Sequence, residues 1–219
     1  TLSLHDALPI CVFSTIWAPL VFKWVEDKTH LDKIGGITLS MTELISAMIC
    51  FIGIFSPVVT WILPDKYAPV QFLLLSCMLY PLFYTLTEVS GIGLNVVKRT
   101  WLITAVNIVA FAINFGLLSL LVPHLGAHGA AIASAISFWV FCVIKTEFSS
   151  RVWRPLPRLK IYTNTALSVL LCVSYTYFGT KENYPLFALL WLIGLSYLIW
   201  RRKSSLISAA AAVKSRLKR

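Results

Sequence analysis

Residues 70–97 read VQFLLLSCMLYPLFYTLTEVSGIGLNVV, and their reading decides the fold. Glu88 is the one charged side chain before the stretch ends at Lys98. A helix needs roughly 17–25 mainly apolar residues to cross a bilayer, so this run is long enough to span. Comparable runs lie on both sides, at residues 38–63, 101–122, 127–144, 161–178 and 184–200, with a shorter one at 11–22. The sequence therefore predicts an all-α polytopic transmembrane bundle of six complete spans and one truncated span. Composition points the same way. The 219 residues are 58% hydrophobic and 13% charged, whereas soluble domains average about 45–50% and about 25%. A net charge of +10 in a polar chain would suggest nucleic acid; here the basic residues fall between apolar runs, and no nucleic-acid partner is expected. Cys11, Cys50, Cys77, Cys142 and Cys172 lie in apolar stretches and read as free thiols that pack like small hydrophobes.

Assigning the loops alternately to two sides sorts the charge. All of the 19 Lys and Arg fall on one side except Lys66 and Lys181. Cytoplasmic loops carry the excess of Lys and Arg, so the C-terminus is expected in the cytoplasm. The connections on the other side are too short to hold a soluble domain. Residues 23–33, mixed in charge, read as an interfacial helix. Residues 145–160 contain Pro155 and Pro157, which disfavour one continuous helix. They read as a basic cytoplasmic linker between a lobe at 11–144 and two appended helices at 161–200. Residues 201–219 are expected to form a basic cytoplasmic tail, with 204–219 either a short surface helix on anionic lipid or a plain solvated tail. Residues 1–10, TLSLHDALPI, resemble the translation of a common sequencing adapter and are expected to be non-native. Without Asp6 the net charge becomes +11. The natural chain is then expected to extend further towards the N-terminus, which makes this sequence a C-terminal fragment.

Motifs for metal or nucleophilic chemistry are missing: there is no HExxH, paired CxxC, Walker A or paired loop carboxylates. No enzyme activity, metal or cofactor is expected. Gly91-x-Gly93 lacks a third glycine and lies in a span, so it is negligible as a nucleotide motif. Cys77, Tyr80, Tyr84, Glu88, Gly91 and Asn95 recur at spacings of three and four and share one helical face. Glu88 lies roughly 15 Å along the helix from Lys98, where an ionisable group is a functional hypothesis by default. It reads either as a cavity group meeting a polar substrate, cation or proton, or as a structural carboxyl bonded to a neighbouring helix. Asn107 and Asn114, seven apart, share a face, as helix glue first and substrate contacts second. The candidate substrate cavity thus comprises Tyr80, Tyr84, Glu88, Asn95, Asn107 and Asn114. Lys98 and Arg99 read as interfacial anchors or contacts to a lipid-linked phosphate. Gly129/Ala133, Ala130/Ser134 and Ala131/Ala135 are small pairs four apart that let helices approach closely. His124 and His128 flank a turn and read as interfacial polar residues.

Several segments together resemble a family. They are Trp17-Ala18-Pro19 with Phe22-Lys23, Phe55-Ser56-Pro57 leading to Tyr67-Ala68-Pro69, and Gly91-x-Gly93 through Lys98-Arg99-Thr100. The most specific is Asn114 through Pro123-His124-Leu125-Gly126-Ala127-His128-Gly129-Ala130-Ala131. They resemble the C-terminal half of the Wzx-like polysaccharide and O-antigen flippases, in the superfamily of multidrug, oligosaccharidyl-lipid and polysaccharide exporters. The resemblance covers residues 11–159; the last two spans match in hydropathy alone. It implies two six-helix lobes around a central cavity, with two further helices at the C-terminus. It also implies export of an undecaprenyl-diphosphate-linked repeat unit across a bacterial inner membrane by alternating access, for O-antigen, capsule or exopolysaccharide synthesis. The implied partners are that lipid-linked oligosaccharide, membrane lipids and other polysaccharide-assembly proteins. Two rival readings remain: a MATE-like cation-coupled drug antiporter, whose cavity would be rich in acids, and a membrane-embedded polymerase or acyltransferase.

Overall fold

Apolar runs become helices in a bilayer because the backbone there has to satisfy its own polar groups. The computed structural model describes residues 4–67 and 69–216, with side chains for 15–64, 66–67 and 69–201. In chain order the helices are α1 (Leu4–Glu26), α2 (Lys33–Phe55), the short α3 (Val58–Ile62), α4 (Val70–Ser90) and the short α5 (Ile92–Val96). Four long ones follow: α6 (Thr100–Leu125), α7 (Ala127–Val152), α8 (Arg158–Phe178) and α9 (Tyr184–Arg216). Among the described residues there is no strand. Helices α2, α4, α6, α7 and the Tyr184–Arg201 part of α9 are long and apolar enough to cross a membrane. The run at 161–178 forms α8 but falls outside that group. The side chains of residues 1–10, and those beyond Arg201, lie outside the described residues.

The helix ends follow from local chemistry. Pro57 has no N–H to donate, so α2 stops at Phe55 and the predicted 38–63 run divides into α2 and α3. Pro81 and Pro123 stay inside α4 and α6. The expected interfacial helix at 23–33 is not formed. Asp27 to Asp32 make a turn in which Lys28 and His30 adopt positive φ, which L-residues do not sustain in a helix. Its amides bond back to α1, with Thr29 N donating to Trp24 O at 3.0 Å. Gly126 alone links α6 to α7, at φ 56 and ψ −129, a conformation that glycine adopts without strain. Helix α7 runs past residue 144 to Val152, so the non-helical part of the expected linker is only residues 153–157, around Pro155 and Pro157.

Helix α7 packs between α4 and α6, and α8 fits against α2, α4 and α7. The main core is apolar and draws on most of these helices, with Leu79, Phe83, Ala135, Cys172, Tyr175 and Trp191 at or near full burial. The small residues of α7 behave as packing surface: Ala133 and Ala135 are wholly buried. Cys50, Cys142 and Cys172 are buried and free, while Cys77 is free and exposed.

Helix α8 is fastened by hydroxyl groups as well as by apolar contact. Tyr175 OH shares a 2.7 Å hydrogen bond with Ser56 Oγ and accepts one from Gln71 Nε2 at 3.2 Å. Ser76 and Thr176 hydroxyls meet at 2.6 Å, and Ser168 Oγ donates to Ser46 Oγ at 3.2 Å. Interhelical bonds of this kind contribute about 0.6–2 kcal/mol each. Tyr175→Phe should therefore cost about 1–2 kcal/mol, read as a lowered unfolding midpoint in mild detergent; an unchanged midpoint would mean that these bonds contribute nothing net.

Candidate functional site

The side of α4 left uncovered by the core carries Tyr80 and Tyr84, one helical turn apart. Opposite them, α6 presents Asn107 and Asn114, and α7 presents Ser137, Phe138 and Phe141. Together these side chains line a cavity of about 270 Å³. Its wall is aromatic: the Tyr80 and Phe138 rings lie 4.3 Å apart, and Tyr80 and Tyr84 lie 6.3 Å apart. Its polar atoms come from two phenols, two carboxamides and a serine. Ser137 Oγ donates to Ala133 O at 2.7 Å, so that hydroxyl is already engaged. Neither Asn107 nor Asn114 makes a side-chain hydrogen bond among the described residues, and the helix-glue role gains no support.

A buried ion pair adjoins this cavity. Lys145, 6% exposed, extends its Nζ to 3.3 Å from Glu88 Oε1 and 3.5 Å from Thr87 Oγ1. The ammonium also lies 5.9 Å from the Tyr84 ring centre and 5.4 Å from that of Phe141. Two wall aromatics thus flank the cation, an arrangement that favours a positive charge out of water. Gly91 makes room for it, since a Cβ there would come within 2.6 Å of Lys145 Cε. Gly93 does the same further along: a Cβ would meet Ser149 Oγ at 2.6 Å and Trp153 Cβ at 2.9 Å. Ser90 and Thr146 hydroxyls bond at 2.7 Å in the same seam. Gly91-x-Gly93 is a notch for α7, which gives the glycines a packing explanation.

The structure brings together four of the six residues singled out as cavity candidates: Tyr80, Tyr84, Asn107 and Asn114. Glu88 lies just beyond, connected through Lys145 to the ring of Tyr84. Asn95 is separate. Helix α4 ends at Ser90, and Asn95 sits exposed on α5, away from the cavity lining. Lys98, at φ 57, and Arg99 form the exposed turn between α5 and α6.

Two charged residues escaped the sequence reading. Lys145 counted there as a loop cation, yet it is buried within α7. Glu43 lies ten residues into α2, is 8% exposed, and has Oε1 3.8 Å from Arg201 Nη1. The rule that drew attention to Glu88 applies equally to Glu43: each is an acid inside an apolar run. No family model, curated protein or solved structure matches the chain.

Proposed function

We propose that this chain is the C-terminal part of a flippase that carries an undecaprenyl-diphosphate-linked oligosaccharide repeat unit from the cytoplasmic to the periplasmic leaflet of a bacterial inner membrane. The cavity between α4, α6 and α7 is the observation that carries the reading. It offers carboxamides, phenols and aromatic faces inside a bundle of apolar helices. A glycan needs such a surface: aromatic rings stack on sugar faces, and amides exchange hydrogen bonds with hydroxyls. The resemblance of residues 11–159 to the Wzx-like family supplies the class of cargo.

The same proposal includes the topology, with six complete spans, a truncated one, and the C-terminus in the cytoplasm. Helix α8 is counted as a span because its hydroxyls are met by α2 and α4 rather than by lipid. The lopsided placement of Lys and Arg supports the orientation, and buried Lys145 can leave the tally without altering it. For a drug antiporter, a cavity acid would have to be free for a cationic substrate. The Glu88 carboxylate is held by Lys145, so that reading gains little.

The test uses the full-length protein in a flippase-null strain. Glu88→Gln should reduce glycan export more than it reduces membrane abundance, since the variant leaves the buried Lys145 without its carboxylate. Export at the parental level would remove any role that requires the charge. The upstream reading frame tests the class itself: a second six-span lobe supports the flippase, and a catalytic loop there overturns it.

A further inference from the structure

Helices α7 and α8 enclose a cleft with two chemically unlike parts. Where α7 gives way to α8, a cavity of about 530 Å³ is bounded by Glu147, Pro157, Arg158, Leu159, Lys160 and Tyr162. Arg158 and Lys160 are exposed there. The Glu147 carboxylate accepts hydrogen bonds from Arg151 Nε at 2.6 Å, Arg158 Nη1 at 2.7 Å and Tyr162 OH at 3.0 Å. One acid thus meets two arginines, and with Lys160 beside them the mouth remains positive.

Further along the same helices lies a second cavity, of about 570 Å³, with walls of Ile136, Trp139, Ala166, Leu167, Leu170 and Val173. The polar groups near it are already used. Trp139 Nε1 donates to Thr165 Oγ1 at 3.2 Å, and Thr163 Oγ1 donates to Leu159 O at 2.8 Å. Leu159, Thr163, Ala166, Leu170 and Val173 follow at spacings of four, three, four and three, so one face of α8 leads from the basic mouth into the apolar groove. From Thr163 to Val173 the helix rises about 15 Å. That matches the apolar depth of one leaflet, half of a core about 30 Å thick.

The two parts select their occupant together. A free phosphate would use the mouth and leave the groove empty. A neutral lipid would fill the groove and leave the mouth unused, and in a zwitterionic one the headgroup cation would offset the attraction of its phosphate to the mouth. An anionic lipid uses both. We propose that the α7–α8 cleft binds one anionic phospholipid, its phosphate at Arg158 and Lys160 and one acyl chain along Ala166, Leu170 and Val173. This inference needs only that α7 and α8 lie in the membrane, and it is independent of the transported cargo. The bound lipid bridges α7 and α8.

Native mass spectrometry of the detergent-purified protein tests this, with phosphatidylglycerol and phosphatidylcholine of equal chain length as probes. Each cation near an anionic lipid is worth about fivefold in binding, so two should give about 30-fold preference for phosphatidylglycerol. Arg158→Gln/Lys160→Gln, both on exposed side chains, should abolish that preference. Ala166→Phe, which fills the groove, should weaken the binding of both lipids. Lys66→Gln/Lys181→Gln, outside the cleft, should leave the preference as it is. Equal binding of the two lipids by the parent, unchanged binding in Ala166→Phe, or equal loss in the Lys66/Lys181 control would each overturn the proposal.

Discussion

Lys145→Met should destabilise the bundle by about 3 kcal/mol, and the added change Glu88→Gln should recover most of that loss. Removing one partner of a buried ion pair withdraws that compensation from the other charge, at a cost of about 3–5 kcal/mol when nothing replaces it. Removing both leaves neutral groups of similar volume, which is often close to neutral in stability. The Lys145 side chain is 7% exposed and that of Glu88 is 23% exposed, so the lower end of the range applies. Unfolding of the purified protein in mild detergent, followed for the parent, both single variants and the double variant, measures the coupling directly. A Lys145→Met protein as stable as the parent would mean that Glu88 does not depend on this lysine. The pair also joins α4 to α7 beside the cavity, through the rings of Tyr84 and Phe141. On the proposed flippase reading, export should fall in Lys145→Met further than stability alone explains, and the stable double variant separates the two effects.

Gly129→Val should have an effect of similar size for a different reason. A Cβ at Gly129 would lie 2.5 Å from the carbonyl oxygen of Leu121 and 2.7 Å from its carbon. Those are backbone atoms, which cannot swing aside as a side chain does. The substitution has to push α6 away from α7. Helix α6 packs chiefly on α7, so little else holds it in place. A penalty of about 3 kcal/mol is expected, at the upper end of overpacking costs. The cavity loses its Asn107 and Asn114 wall as α6 moves, and on the proposed flippase reading export should be lost with it. Gly116→Val provides the control, since a Cβ there meets nothing within 4 Å. Its unfolding midpoint should stay within about 0.5 kcal/mol of the parent, as is usual for an open surface position. Equal effects of the two substitutions would show that helix propensity, rather than the crossing, governs both.

The helical, membrane-type fold was legible because the length of an apolar run is a direct consequence of bilayer thickness. Helical periodicity made it legible that Tyr80 shares a face with Tyr84 and Asn107 with Asn114; that the two faces meet depends on how α4 and α6 pack with α7. Asn95 was misplaced by carrying the same periodicity through Gly91, where α4 ends. Lys145 was missed because assigning basic residues to loops assumes that they avoid the interior. Its partner, Glu88, is 57 residues away in sequence, and no local pattern links them. The turn at residues 27–32 escaped for a related reason: its left-handed positions are held by Lys28 and His30 rather than by glycine. Glu43 was detectable by the argument applied to Glu88, but its pairing with Arg201 depends on how α9 packs against α2.

The hydroxyl contacts of α8 also bear on how the protein is made. A segment leaving the ribosome is partitioned into lipid on its own apolarity, and α8 falls short of the helices that meet that demand alone. Ser56, Gln71 and Ser76, which meet its polar side, are synthesised roughly a hundred residues earlier. On the proposed topology, in which α8 is a span, its stable insertion is a late, template-dependent event: α2 and α4 have to be in place to receive it. On that topology the order of synthesis, N-terminal bundle first, is what permits so polar a helix to enter the membrane.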